Sequence, residues 1–181
     1  MPTSTPMAPN LKAIRAILLD IDGVMTDGSI IVDADGGPLR IFNEKDGHGL
    51  RMAAIAGYFL GVITGGSTES VRKRMTDYGV PYEHIYLKVR DKLKSIRSIC
   101  EDYGFSQEEI LYMGDDIPDV TALLYAGVGV VPSDAVEEAK NAADIIAPIP
   151  GGRGFVRWTL EQVMKEQGRW FFDVEKYEKL F

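Results

Sequence analysis

Acidic side chains stand at the ends of two short apolar runs in this sequence. Asp20 and Asp22 close the first run, and Asp115 and Asp116 follow a later one. Carboxylates from two strands make a hard, all-oxygen site suited to Mg²⁺, which prefers partners that carry phosphate. An aspartate beside that cation can attack phosphorus and form an aspartyl-phosphate. A second aspartate two residues on can protonate the leaving oxygen and then activate the hydrolytic water.

A hydroxyl group and an ammonium group complete this set of reactive side chains. Thr64 follows another apolar run, where it and neighbouring backbone N–H groups can hold phosphoryl oxygens near a helix N-terminus. Lys92 opens a helical segment, and its charge would offset the charges of nucleophile and phosphate. Taken singly, Thr64 is more often a helix cap and Lys92 a solvated side chain. Their order, each at a strand end or helix start, favours one shared site.

Alternating strand and helix patterns must position these groups. Continuous apolar runs, typical of strands buried on both faces of a parallel sheet, cover 16–21, 58–63, 110–113 and 128–131. Helical spacing covers 47–56, 68–78, 92–103, 117–126, 135–142 and 155–167. The alternation predicts the α/β class, a Rossmann-like open parallel sheet flanked by helices. Reactive groups in such folds gather at the carboxyl ends of the strands.

One segment departs from this alternation, and the two ends differ in character from the middle. Residues 29–32 and 40–42 flank an Asp- and Gly-rich turn, which predicts a projecting β-hairpin. We expect a flexible leader over 1–10, one domain over 11–168 and an aromatic tail over 169–181. Only 41 residues separate Asp22 from Thr64 and 27 separate Thr64 from Lys92, so no cap domain fits.

Composition excludes several other classes of protein. The 181 residues carry 20 Lys+Arg and 27 Asp+Glu, and a net charge of −7 disfavours a nucleic-acid partner. Glycines interrupt the longest uncharged stretch, 52–68, so we expect a soluble protein without a membrane partner. Cys100 is the single cysteine, which excludes an intrachain disulfide and fits a reducing cytoplasm. P-loop and serine-hydrolase signatures are absent, and His48 is interpreted as a half-buried helix residue.

The four groups of residues together resemble the motifs of the haloacid dehalogenase superfamily of phosphohydrolases. They are Asp20-x-Asp22-Gly-Val-x-Thr, Thr64, Lys92 and Gly114-Asp115-Asp116. The resemblance implies that Asp20 is the nucleophile and Asp22 the acid/base. It also implies that Mg²⁺ binds to Asp20, to the Asp22 carbonyl and to Asp115.

Further segments are similar to those of the 3-deoxy-D-manno-octulosonate 8-phosphate phosphatases, over about residues 14–170. They are 26–28, 45–47, 63–66, 71–74 and 151–154. The resemblance implies hydrolysis of that sugar-acid phosphate for lipopolysaccharide synthesis. It implies substrate contacts at Asp22, at a loop of Asn43, Glu44, Lys45, Asp46 and Gly47, at Thr64, Gly65 and Gly66, and at Arg74 and Lys92. Some relatives carry Arg where Gly66 stands, so any contact from that side chain is absent here.

Other functions stay open beside this one. The same mechanism could act on a nine-carbon ulosonate 9-phosphate, although nine-carbon relatives tend to carry an acidic residue at the position of Gly66. Two non-enzyme alternatives are a receiver-type signalling domain and an oligomerisation module. The order of the acidic motifs opposes the receiver, and the intact Asp20 and Asp22 oppose the module.

We also expect a homotetramer. Without a cap domain the phosphoryl group stays wet, and catalysis usually needs water excluded. A neighbouring subunit is then the available lid, through the hairpin or the aromatic tail.

Overall fold

A computed structural model describes residues 9–170 of the chain. Its strands are β1 (Ala16–Leu19), β2 (Ile31–Val32), β3 (Pro38–Leu39), β4 (Phe59–Ile63), β5 (Ile85–Tyr86), β6 (Ile110–Met113), β7 (Val128–Val131) and β8 (Ile145–Ile146). Its α-helices are α1 (Glu44–Ile55), α2 (Glu69–Asp77), α3 (Lys92–Tyr103), α4 (Val120–Tyr125), α5 (Glu137–Ala142) and α6 (Phe155–Glu166). Six strands form one parallel sheet in the order β5-β4-β1-β6-β7-β8, which confirms the predicted fold class.

The central strand β1 sets the register of the sheet. Leu19 pairs with Val62 of β4 on one side and with Met113 of β6 on the other. The Asp20 N–H continues the ladder by donating to the Met113 carbonyl at 3.0 Å. The residues that follow β1, β4 and β6 therefore lie side by side at one edge of the sheet.

Helices cover both faces of the sheet, and alternate residues of β1 enter two different cores. Ile17 and Leu19 pack in a core to which α1, α2 and α6 contribute. Ala16 and Leu18 pack in the opposite core, to which α3, α4 and α5 contribute. Burial on both faces explains why the sheet strands read as continuous apolar runs.

The hairpin is a separate two-stranded sheet, as predicted, but only β2 lies within an expected strand segment. The expected strand over 40–42 was wrong: β3 comes earlier, because Val32 pairs with Pro38 directly across the turn. The apolar side chains of the hairpin lie in solvent: Ile31 is 50% exposed, Val32 66% and Ile41 72%.

Several element boundaries differ from the prediction. The segment 117–126 begins as a 3₁₀ turn at Ile117–Asp119, where Pro118 lies, before α4 starts. Strand β8 was not predicted, because two apolar residues are too short a run to be recognised. Helix α1 begins at Glu44 rather than Gly47, because the Asn43 side chain caps it by accepting from the Lys45 N–H at 2.9 Å.

The ends of the chain are described in part. Most of the predicted leader, residues 1–8, and residues 171–181 of the predicted tail lie outside the described residues. Trp170 packs against α6, with the Arg157 guanidinium 4.5 Å from the centre of its ring. Within residues 9–170, no helix has the length and apolar character needed to cross a membrane.

Candidate active site

Asp20 lies one residue beyond β1 and is 9% exposed. One carboxylate oxygen, Oδ1, accepts from the Ile21 N–H at 2.7 Å, and Oδ2 accepts from Lys92 Nζ at 2.7 Å. Burial raises the pKa of Asp20 to about 6, against the opposing charge of Lys92. A carboxylate that is partly desolvated yet ionised beside a cation has the character of a nucleophile.

Lys92 is the first residue of α3, and its side chain is 4% exposed. Its Nζ also donates to Oδ1 of Asp119 at 2.6 Å, so one ammonium bridges two carboxylates. Burial lowers the pKa of Lys92, but the charges of Asp20 and Asp119 outweigh it and the net shift is upward. Lys92 is therefore not a solvated helix residue, and the structure brings it to Asp20 as predicted.

Asp119 is a site residue that the sequence analysis did not assign. It is 1% exposed and accepts from the Tyr112 hydroxyl at 2.5 Å and from the Asp115 N–H at 3.1 Å, in addition to Lys92. It thereby fixes both Lys92 and the turn that carries Asp115. The signal was available, since Asp115, Asp116 and Asp119 at this spacing form a single turn after β6.

The carboxylates of Asp20, Asp115 and Asp119 offer oxygens that all lie within 4.8 Å of one another. Asp119 accepts four hydrogen bonds, from Lys92, Tyr112 and the N–H groups of Asp115 and Asp116, whereas Asp20 accepts two, so Asp20 and Asp115 are the better ligands. Burial raises the pKa of Asp115 to about 8, and the charges of Asp119 and Asp20 add to the shift. This concentration of oxygen ligands and negative charge fits a divalent cation such as Mg²⁺.

Gly23 keeps this cluster open. A Cβ at Gly23 would lie 1.9 Å from Oδ2 of Asp115, and the backbone φ there is +81°. A Cβ at Gly151 would in turn lie 1.9 Å from the Gly23 carbonyl oxygen. The glycines after Asp22 and before α6 thus allow the loop to approach the Asp115 carboxylate closely.

The pKa of Asp115 predicts how the metal-free protein responds to pH. Between pH 3.8, its ordinary pKa, and about pH 8, the Asp115 carboxyl binds a proton more readily in the folded than in the unfolded chain. The free energy of unfolding therefore falls as pH rises through that window. Cation binding requires the carboxylate form, so added Mg²⁺ should raise the melting temperature more at about pH 8 than at about pH 5. Thermal unfolding with and without Mg²⁺ measures this. Asp115→Asn should remove the Mg²⁺ response, whereas an equal response at both pH values would contradict the assignment.

Asp22 is held by an arginine that the sequence analysis did not single out. Arg40, directly after β3, donates to both carboxylate oxygens, from Nε at 2.6 Å and from Nη2 at 2.9 Å. These bonds raise the pKa of Arg40, and the charge of Asp20 adds to the shift. Its Nη1 also donates to the Thr68 hydroxyl at 3.1 Å.

Thr64 follows β4 and is 2% exposed. Its hydroxyl oxygen accepts from the Gly66 N–H at 3.1 Å, which folds residues 64–66 into a tight turn. Thr64 is not the cap of α2, because Thr68 occupies that position. The turn meets the sheet edge beside Asp20, as the pairing of β1 with β4 requires.

The prediction of a loop over residues 43–47 was wrong, since all but Asn43 belong to the first turn of α1. Asp46 is fully buried and accepts from the N–H groups of Gly154 at 3.0 Å and Arg157 at 2.7 Å, which caps α6. Glu44 accepts from the Tyr78 hydroxyl at 2.9 Å. Gly47 lies so close to Tyr78 that a Cβ would stand 2.2 Å from the ring. Lys45 is exposed.

Arg74 and His48 lie apart from the carboxylate cluster. The Arg74 guanidinium lies 5.5 Å from the centre of the Tyr78 ring, in a groove between α2 and the hairpin that Arg40 also lines. His48 is half-buried within α1, as interpreted from the sequence. All the expected substrate contacts stay predictions: those at Arg74 and residues 43–47, and those at Asp22, Thr64, Gly65, Gly66 and Lys92.

Residues 66–152 match the family model of haloacid dehalogenase-like hydrolases, the class of enzyme whose fold this chain has. The chain is 32% identical over 168 residues to the 3-deoxy-D-manno-octulosonate 8-phosphate phosphatase KdsC of Salmonella typhi, covering 93% of this chain and 88% of that protein. The chain belongs to the 3-deoxy-D-manno-octulosonate 8-phosphate phosphatase family, which confirms the resemblance seen in the sequence.

Solved structures agree with this assignment. The phosphatase of the same name from Moraxella catarrhalis, in complex with a magnesium ion, a phosphate ion and a KDO molecule, superposes with a TM-score of 0.84. It is 32% identical and the match covers 87% of this chain and 90% of that one. A cobalt-bound phosphatase from Haemophilus influenzae has a TM-score of 0.87 and 28% identity, over 94% of this chain and 96% of that one.

Proposed function

We propose that this chain is a Mg²⁺-dependent phosphatase that hydrolyses 3-deoxy-D-manno-octulosonate 8-phosphate to the free sugar acid and phosphate. The single observation that carries the reaction type is the buried Lys92 ammonium, bonded to Asp20 at 2.7 Å and Asp119 at 2.6 Å beside the Asp115 carboxylate. The substrate is supported by the relatives, which bear this activity in their names. A role in lipopolysaccharide biosynthesis in the cytoplasm is part of the same proposal.

The reaction proceeds in two displacements at phosphorus. An oxygen of Asp20 forms a bond to phosphorus, the bond to the sugar oxygen breaks, and Asp22 gives that oxygen a proton. Water then attacks the aspartyl-phosphate, Asp22 takes its proton, and phosphate leaves with Asp20 restored. The second step reverses the proton role of Asp22, so one residue serves as acid and then as base.

The remaining site residues orient and stabilise the phosphoryl group. The Thr64 hydroxyl and the backbone N–H groups of the 64–66 turn are placed to bond phosphoryl oxygens, and Lys92 offsets the charge that collects around Asp20. Bound Mg²⁺ would be held by Asp20, Asp115 and the Asp22 carbonyl, and it supplies positive charge for the phosphoryl oxygens.

The alternatives are less well supported. A nine-carbon substrate is not favoured, because the curated relatives act on the eight-carbon compound and Gly66 offers no acidic side chain. The receiver and oligomerisation alternatives do not fit the membership of a phosphatase family. Steady-state phosphate release from a panel of sugar phosphates with Mg²⁺ tests the proposed activity.

The proposal includes a homotetramer in which a neighbouring subunit covers the site. The hairpin supports this, because five apolar side chains on this one short element are each at least 43% exposed: Ile30, Ile31, Val32, Leu39 and Ile41. Apolar side chains grouped in this way are typical of a contact surface.

Substitution of a hairpin residue is expected to separate the subunits. Ile31→Lys places a charge on the hairpin without disturbing the main core, so the protein should become monomeric and lose about tenfold or more in kcat/KM as the site opens to water. Light scattering and kinetics on the same sample measure both effects. Leu124→Lys is the matched control, since Leu124 is 66% exposed on α4, away from the hairpin. A fully active Ile31→Lys monomer would refute the shared lid.

A further inference from the structure

Arg40 occupies an unusual place beside the proposed acid/base. Its side chain is only 7% exposed, although it lies just outside the small hairpin sheet. Two of its nitrogens bond the two oxygens of Asp22, at 2.6 and 2.9 Å, and the third bonds the Thr68 hydroxyl at 3.1 Å. A buried, bidentate guanidinium of this kind is held in one geometry and is not a solvated surface arginine.

This pairing restricts the proton transfers that the proposed function assigns to Asp22. Each carboxylate oxygen already accepts a hydrogen bond from Arg40, which leaves one lone pair on each for a proton. Release of the guanidinium would free both oxygens for the acid/base role. Opening the pair without a new partner for the guanidinium would leave a buried charge unpaired, which is costly.

The new partner is indicated by what lies next to Arg40. A Cβ built on Gly66 would stand 3.3 Å from Arg40 Nη2 and 3.4 Å from the Thr64 hydroxyl oxygen. The guanidinium thus lies over the turn that is placed to hold the phosphoryl group. Among residues 9–170, Arg40 and Lys92 are the cations that bond the two candidate catalytic aspartates.

We propose that Arg40 is a substrate-positioning residue that exchanges partners, leaving the Asp22 carboxylate for an anionic oxygen of the incoming phosphoryl group. The exchange frees Asp22 when a phosphate ester is bound and keeps it paired otherwise. A guanidinium can bond two phosphoryl oxygens at once, as it bonds the two oxygens of Asp22. The inference rests on the proposed function, since it assigns Arg40 to the same phosphoryl group.

The experiment removes the guanidinium and then supplies it from another position. Arg40→Ala should lower kcat/KM for 3-deoxy-D-manno-octulosonate 8-phosphate by roughly 10²-fold, with a raised KM. Arg40→Lys should recover only part, because an ammonium cannot make the bidentate contact. Gly66→Arg alone should reduce activity by crowding Arg40. In the Arg40→Ala background the same change should restore at least about tenfold, because a side chain from Gly66 reaches the space that Arg40 leaves.

Two further measurements separate positioning from structural support. Calorimetric titration with inorganic phosphate in the presence of Mg²⁺ should show weaker binding to Arg40→Ala than to the unaltered protein. Arg15→Ala, which removes an arginine from the exposed pair with Glu109, is the matched control and should leave both activity and phosphate binding unchanged.

The outcomes decide the role of Arg40. Unchanged phosphate affinity in Arg40→Ala would overturn the proposal. The proposal would also fail if Arg40→Ala lowered the melting temperature and Gly66→Arg restored no activity to it. Arg40 would then serve only to anchor the hairpin, a role that an arginine at position 66 cannot take over. If the unaltered protein releases phosphate from no sugar phosphate, the proposed function fails, and the phosphate titrations still show whether Arg40 binds the anion.

Discussion

Asp20→Asn is expected to abolish phosphate release, a loss of about 10⁴-fold or more, because the side chain that we propose bonds to phosphorus is replaced by a poor nucleophile. The fold should persist, since asparagine has the same size and its oxygen can keep one hydrogen bond at this position. Burial already raises the pKa of Asp20 to about 6, so the charge is costly there and its removal is tolerated. Steady-state kinetics and thermal unfolding of the same variant test both statements.

Asp22→Asn provides the matched comparison on the same loop. Loss of the proposed acid/base should slow both displacements. With a substrate whose leaving group needs no proton, only the second displacement is slowed, so the phosphorylated enzyme should accumulate. Intact-mass measurement after mixing with such an activated phosphate ester would detect one added phosphoryl group. The group should be present in Asp22→Asn and missing when Asp20→Asn is added. Near-normal turnover by Asp20→Asn would show that another residue is the nucleophile.

Lys92→Met is expected to reduce both activity and stability. The change leaves the carboxylates of Asp20 and Asp119 in a buried site without the ammonium that bridges them. Removal of one partner from a buried ionic cluster costs about 3–5 kcal/mol of unfolding free energy. Loss of charge stabilisation at the phosphoryl group should lower kcat by about 10²–10³-fold.

The stability loss in Lys92→Met should depend on pH. Without the ammonium, the pKa of Asp20 should rise further above its ordinary value, so protonation relieves the repulsion as pH falls. The deficit relative to the unaltered protein should therefore be larger at about pH 8 than at about pH 5, as measured by denaturant unfolding in metal-free buffer. Lys94→Met, an exposed position on the same helix, should show neither effect. A deficit that grows toward low pH would contradict the assigned electrostatics.

The parts of the site that follow from strand ends could be predicted from the sequence. The positions of Asp20, Thr64 and Asp115 are set by β1, β4 and β6, whose apolar runs are visible in the sequence, and parallel pairing brings their ends together. Lys92 was found because it begins a recognisable helix. Local pattern and sheet geometry suffice for these residues.

Residues whose roles depend on distant partners could not be predicted. Arg40 reaches Asp22 only because the hairpin folds back over the sheet edge, and no spacing rule links the two. Asp46 looked like a loop residue that contacts substrate, yet its carboxylate caps α6, more than a hundred positions later in the chain. The spacing of Asp119 after Asp115 was visible in the sequence, but its role was not, because its partners Lys92 and Tyr112 come from two other elements.

The proposed function is tested most directly by comparing kcat/KM of the purified protein with Mg²⁺ for two substrates. These are 3-deoxy-D-manno-octulosonate 8-phosphate and a nine-carbon ulosonate 9-phosphate, with phosphate release as the readout. We predict efficient, Mg²⁺-dependent turnover of the eight-carbon compound and a clear preference for it. A preference for the nine-carbon compound, or release of phosphate from neither, would contradict the proposal.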